Sequence, residues 1–168
     1  RMQVLSETKN KALVIIDYAH TPAALKSALK SIQEIIGRER IITLFGCGGD
    51  RDKNKRKIMG EIANEYSDIV IVTDDNPRNE IPSNIRSEIL SGCPSATEIP
   101  NRDKAIKYAI SQLKKNDLLL IAGKGHETFQ AVGIETLPFD DYTVAKEAIK
   151  NIEKYGIINW SLYGQKKI

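Results

Sequence analysis

Four short polar clusters hold most of the side chains in this sequence that could bind or turn over a ligand. They are Asp17-Tyr18-Ala19-His20-Thr21-Pro22, Gly46-Cys47-Gly48-Gly49-Asp50-Arg51-Asp52-Lys53, Asp74-Asp75-Asn76-Pro77-Arg78 and Gly123-Lys124-Gly125-His126-Glu127. The chemistry on offer is ionic recognition. Arg51, Lys53 and Arg78 suit carboxylate or phosphate oxygens, while Glu127 suits a cationic group. Each cluster also has a plainer reading. The Gly46–Gly49 run is either a tight strand-to-helix turn or a loop whose N–H groups approach a phosphate. His20 can cap or pack against a helix, Asp75–Arg78 alone is an ordinary turn, and Gly123–Glu127 alone is an ordinary loop. The run matches neither G-x-x-x-x-G-K-[ST] nor G-x-G-x-x-G, so it carries no general nucleotide signature.

The positions of the clusters are more telling than their composition. Each follows an apolar run rich in β-branched residues and leucine: Ala12–Asp17, Arg40–Phe45, Asp68–Asp74 and Asp117–Ala122. Such continuous apolarity predicts strands buried on both faces, as in a parallel sheet. Amphipathic stretches at Pro22–Ile36, Lys55–Tyr66, Ser83–Leu90 and Asn101–Lys114 predict the intervening helices. Thr21-Pro22 supplies a capping hydroxyl before a first-turn proline, and Pro82-Ser83 marks a similar start with the proline on the other side of the cap. A weaker strand is expected at Thr97–Ile99, a hairpin or edge strand at Gln130–Leu137 around Gly133, and a last helix at Asp141–Lys154. The pattern predicts an α/β, Rossmann-like, doubly wound fold. Its sheet has about six mostly parallel strands and one antiparallel edge strand. Ligands in such sheets bind beyond the carboxyl ends of the strands, so the four clusters are expected on one rim.

Bulk properties narrow the function classes. A chain of 168 residues fits one domain, here residues 1–155 followed by a tail at 156–168 without a clear signal. The net charge of +3 is too small and too dispersed to predict a nucleic-acid partner. No run approaches the roughly 20 apolar residues that span a bilayer, so no membrane partner is expected. Cys47 and Cys93 lack metal-ligand spacing and activating neighbours, so they are expected to be structural thiols of a cytoplasmic protein, and no metal site is expected. The opening Arg1-Met2-Gln3-Val4 reads as a chain entered midway.

Taken in order, DYAHTPAAL at 17–25, FGCGGDRDKNKR at 45–56, DNPR at 75–78 and GKGHE at 123–127 resemble the Mur ligases, and within them the members that add meso-diaminopimelate. Arg1-Met2 and Phe139-Asp140-Asp141 add to the likeness, which covers residues 1 to about 150. The resemblance implies the carboxy-terminal, amino-acid-binding domain of an ATP- and Mg2+-dependent ligase. The UDP-binding and central ATPase domains of such an enzyme are absent from this sequence, as is the central-domain lysine that becomes carbamylated in the family. The implied partners are meso-diaminopimelate, ATP, the UDP-N-acetylmuramoyl dipeptide and the upstream domains of the same polypeptide.

By the same resemblance, Arg51, Asp75, Asn76, Pro77, Arg78, Gly123 and Glu127 would meet the amino acid. Tyr18, His20, Asp50 and Lys53 would face the nucleotide, with Asp50 at the ribose and Lys53 at the terminal phosphates. No catalytic residue is assigned to this domain. In the implied reaction a carboxylate is activated as an acyl phosphate and the amine of diaminopimelate displaces phosphate. The physical logic is consistent: a guanidinium fork suits a distal carboxylate, and Glu127, with a carbonyl near Gly123, suits a distal ammonium. Three other readings make different predictions. A lysine-adding relative would not need Arg78. A non-catalytic nucleotide-binding module would ignore diaminopimelate, and a receiver-like domain, suggested by Asp74-Asp75, would fit poorly with Arg51 and Lys53.

Overall fold

The computed structural model describes residues 2–8, 10–35 and 39–155. Strands β1 (Gln3–Glu7), β2 (Leu13–Asp17), β3 (Ile41–Phe45), β4 (Ile69–Val72), β5 (Thr97–Glu98) and β6 (Leu118–Ala122) form a six-stranded sheet in the order β1-β2-β6-β3-β4-β5. All pairs are parallel except β1–β2. Helices α1 (Pro22–Gln33), α2 (Asn54–Tyr66) and α3 (Pro82–Leu90) lie on one face of the sheet, and α4 (Arg102–Ser111) and α5 (Asp141–Tyr155) on the other. Strands β7 (Phe129–Val132) and β8 (Glu135–Pro138) form a separate antiparallel hairpin. No helix of the described residues is long and apolar enough to cross a membrane.

Strand periodicity explains the two cores. Along β6, Leu118, Leu120 and Ala122 face α1–α3, whereas Leu119 and Ile121 face α4 and α5; all five are buried. Val14 and Ile16 of β2 and Ile42 and Leu44 of β3 join the second face. Each such side chain contributes about 1.5–3 kcal/mol through burial, and the double burial removes any polar-out alternation.

Two helix starts decide where the adjoining loops leave the sheet. Thr21 caps α1 by accepting the Ala24 N–H at 3.3 Å, with Pro22 in the first turn, as its residue types predict. Asn101 caps α4 by accepting the Lys104 N–H at 2.9 Å. α3 departs from expectation, because Pro82 is inside its first turn and Ile81 occupies the cap without a side-chain bond. The antiparallel edge is β1, at a segment whose residues carry no strand signal, and the expected element near Gly133 is a hairpin outside the main sheet. Ile36 and the tail at 156–168 lie outside the described residues.

One ion pair ties the two helices of the second face to the strand ends. Arg102 and Asp141 are both fully buried and paired at 2.7 Å; Arg102 also donates to the carbonyls of Ala122 at 3.0 Å and Asp74 at 3.5 Å. Removing one member leaves the other charge without a partner in a dry interior, at a cost of about 3–5 kcal/mol. Arg102→Met should therefore lower unfolding free energy by about that amount in urea titrations. Adding Asp141→Leu should recover a large part of the loss, because no lone buried charge then remains.

Candidate functional site

Because β2, β6, β3 and β4 are parallel neighbours, their carboxyl ends lie along one edge, and all four polar clusters start there. A cleft of about 630 Å³ opens between them. Tyr18, His20, Gly48, Arg51, Asp75, Asn76, Arg78, Gly123 and Glu127 all line it. Of the eleven residues expected at a ligand site, eight therefore face a single space, and Pro77, Asp50 and Lys53 do not.

The glycines of the Gly46–Gly49 run serve the chain's own packing. Gly49 donates its N–H to the Asn76 carbonyl at 2.8 Å, and a Cβ on Gly49 would stand 1.9 Å from the Pro77 oxygen. Any larger residue would drive the loop after β3 away from the segment after β4. The requirement for glycine here thus follows from backbone touching backbone, with Pro77 buried in the contact. At the end of β6, Gly123 has φ +113, and a Cβ would lie 3.0 Å from Asp75 Oδ2. That conformation is open to glycine and strained for other residues.

Arg78 is held in an unusual shape. Its φ is +50, in the left-handed region that β-unbranched L-residues rarely adopt outside turns. The hairpin imposes it: Arg78 N–H donates to Ala131 O at 3.1 Å, and Gly133 N–H donates to Arg78 O at 2.7 Å. Its Nη1 donates to Gly49 O at 2.9 Å and Asn76 O at 3.4 Å. Among the described residues, Nε and Nη2 have no partner, so one edge of the guanidinium remains for a ligand. Arg51 is exposed on the same cleft and donates Nη1 only to its neighbour Asp50 O, at 3.1 Å.

Asn76, expected to touch the amino acid, lines the cleft and is also bonded inward. Its Oδ1 accepts from Ala131 N–H at 3.0 Å and Lys124 Nζ at 2.9 Å, which turns Nδ2 toward Glu127 Oε2 at 3.1 Å. Lys124 is the residue for which sequence reasoning assigned no role. Its side chain is fully buried, and it also reaches Asp75 Oδ1 and Glu127 Oε2, each at 3.3 Å. Lysines are among the residues least often buried, and nothing in the Gly-Lys-Gly-His-Glu spacing signals otherwise.

The residues expected on the nucleotide side divide. Tyr18 and His20 stay on the cleft, their rings 4.5 Å apart, with His126 5.9 Å from Tyr18. Lys55 reaches this corner and donates to His20 O at 2.8 Å. Asp50 instead accepts from Asn79 Nδ2 at 2.8 Å, and the exposed Lys53 ammonium stands 3.5 Å from Glu80. Glu80 draws both aside: it accepts the Asp50 N–H at 2.7 Å and pairs with the buried Arg56 at 2.8 Å. Among the described residues no three His, Cys, Asp or Glu converge to hold a metal ion. Both thiols are buried, and desolvation pushes Cys47 up to about 12 and Cys93 up to about 11, so neither is a nucleophile at neutral pH.

The family described as "Mur ligase, glutamate ligase domain" matches residues 1–125. The chain belongs to the Mur ligase family. A UDP-N-acetylmuramoyl-L-alanyl-D-glutamate–2,6-diaminopimelate ligase of Agrobacterium fabrum is 52% identical over 153 residues, covering 91% of this chain and 31% of that protein. The enzyme of the same name from Rhizobium meliloti is 50% identical over 149 residues, covering 89% and 30%. A solved structure of a ligase of that name superposes with a TM-score of 0.84 at 38% identity, covering 91% of this chain and 32% of the other. This Mur ligase chain thus spans about a third of the length of its relatives.

The hydrogen bond from Arg56, outweighing burial, lowers Glu80 from 4.5 to about 2. A carboxylate depressed in this way adds stability above its unfolded value of 4.5, and that stability is lost as pH falls toward 2. The melting temperature should therefore drop across pH 4.5 to 2. Glu80→Gln, less stable at pH 7, should lose less over the same window in calorimetric scans.

Proposed function

We propose that this chain is the amino-acid-binding domain of a ligase that joins meso-diaminopimelate to UDP-N-acetylmuramoyl-L-alanyl-D-glutamate. The observation that carries the reading is the pairing of opposite charges across one cleft. Arg78, with Arg51 nearby, offers donors to a carboxylate, and Glu127 Oε1, which has no partner among the described residues, offers an acceptor to an ammonium. Diaminopimelate carries both groups at its far end, and lysine carries only the ammonium. Lysine would leave the Arg78 fork unsatisfied, and sites of this type can reject such an analogue by about 10⁴–10⁵-fold.

The contribution of this domain is positional. Arg78 and Glu127 fix the distal zwitterion, so that the proximal amine extends along the cleft toward Tyr18 and His20. ATP and Mg2+ would be held mainly by domains upstream in the same polypeptide, with Tyr18, His20 and Lys55 facing the phosphates from this side. When bound, they supply activation of the glutamate carboxylate. The residues described here bring the amine to that carboxylate and keep water away. Asp50 and Lys53 stand outside the cleft beside Asn79 and Glu80, and the exposed Lys53 ammonium keeps donors for a phosphate.

The test uses the complete ligase and measures phosphate release with each amino acid. Arg78→Ala should raise KM for meso-diaminopimelate at least about 10-fold, the equivalent of one charge-assisted bond of about 1.5–3 kcal/mol, and leave KM for ATP unchanged. Arg78→Lys should restore only part of the loss, since an ammonium lacks the planar fork. Equal turnover with lysine in the parent enzyme, or an unaltered KM in Arg78→Ala, overturns the assignment.

A further inference from the structure

We propose that Lys124 sets the charge of the amino-acid site, cancelling one of its two carboxylates so that the pocket accepts a head group with a single ammonium. The inference rests on the proposed function and goes beyond it, because Lys124 itself touches no ligand. Its ammonium has three protons and three acceptors in reach: Asn76 Oδ1 at 2.9 Å, Asp75 Oδ1 at 3.3 Å and Glu127 Oε2 at 3.3 Å. The side chain is fully buried, with the Phe129 ring 5.7 Å from Nζ. It has no donor left and no route to the cleft.

The charge count follows from the groups packed around it. Asp75 and Glu127 carry two negative charges and Lys124 one positive. The nearby Arg102 and Asp141 are a closed pair and cancel. At the ammonium end of the site, leaving Arg78 and Arg51 to the carboxylate end, the net is one negative charge, offered to the cleft through Glu127 Oε1 and Asp75. Lys124 also sets direction. By occupying Asn76 Oδ1 together with the Ala131 N–H, it turns Asn76 Nδ2 onto Glu127 Oε2. The remaining Glu127 oxygen is thereby presented to the ligand. Without the ammonium, the Asp75 and Glu127 carboxylates would face each other with no cation between them, and their repulsion would displace the Glu127 oxygen offered to the ligand.

Lys124→Met keeps length and removes charge; Asp75→Asn then restores the net charge of the site. In the complete ligase, Lys124→Met should raise KM for meso-diaminopimelate at least about 10-fold, with KM for ATP within about twofold. Adding Asp75→Asn should recover most of that loss, so the two changes do not multiply. A structural role alone would lower apparent kcat through the amount of folded enzyme, leave KM for meso-diaminopimelate unchanged, and show no such recovery. If Lys124→Met fails to fold, the double variant should fold, since the one carboxylate that remains, Glu127, is part-exposed on the cleft and no longer faces a second negative charge. An unchanged KM in Lys124→Met, multiplicative effects, or a double variant no more stable than the single one would each overturn the proposal. If the parent ligase shows no turnover with meso-diaminopimelate, the proposed function fails, and the melting temperatures of the same variants still decide the charge balance.

Discussion

A buried ammonium has to be surrounded by acceptors, and Lys124 draws its own from two different strand ends. Asp75 and Asn76 follow β4, Lys124 and Glu127 follow β6, and the strand between them, β3, ends in the glycines that let the two loops close up. Leaving such a charge unpaired would cost several kcal/mol, so the loops are held together by the same penalty that makes buried lysine rare. The fully buried Arg102–Asp141 pair works in the same way one layer below, gripping the carbonyls of Asp74 and Ala122 just where the two loops begin. The site is thus rigid on its inner side and open on its outer side.

That asymmetry separates residues with a polar edge open to the cleft from residues that hold them in place. Arg78 and Glu127 each have one polar edge bonded inward and one turned to the cleft. Asn76 lines the cleft while bonding Ala131, Lys124 and Glu127, and Pro77 serves the backbone contact with Gly49. The hairpin of β7 and β8 clamps Arg78 in a left-handed conformation through both its N–H and its carbonyl. A residue strained in this way persists only where its surroundings over-determine it, as they do here.

Much of this organisation could be read from the residues alone. Runs such as Asp117–Ala122 announce buried parallel strands because both faces are apolar, and Thr21-Pro22 announces a helix start. The convergence of four clusters followed from one rule about parallel sheets. What escaped reading depended on distant partners. Lys124 is buried because Asp75, 49 positions away, comes beside it. Asp50 and Lys53 turn aside because Glu80 lies across the loop, a neighbour that no local spacing reveals. The edge strand at Gln3–Glu7 is short and polar enough to escape notice, and its pairing with β2 is what makes it a strand.

The central claim is that one cleft grips both charges at the far end of a single small zwitterion. The most direct measurement is a crystal structure of the complete ligase with meso-diaminopimelate bound. The account predicts the distal carboxylate within hydrogen-bond distance of the Arg78 guanidinium and the distal ammonium on Glu127, with Lys124 still buried beneath them. A diaminopimelate molecule bound with its distal end away from both Arg78 and Glu127 would contradict it.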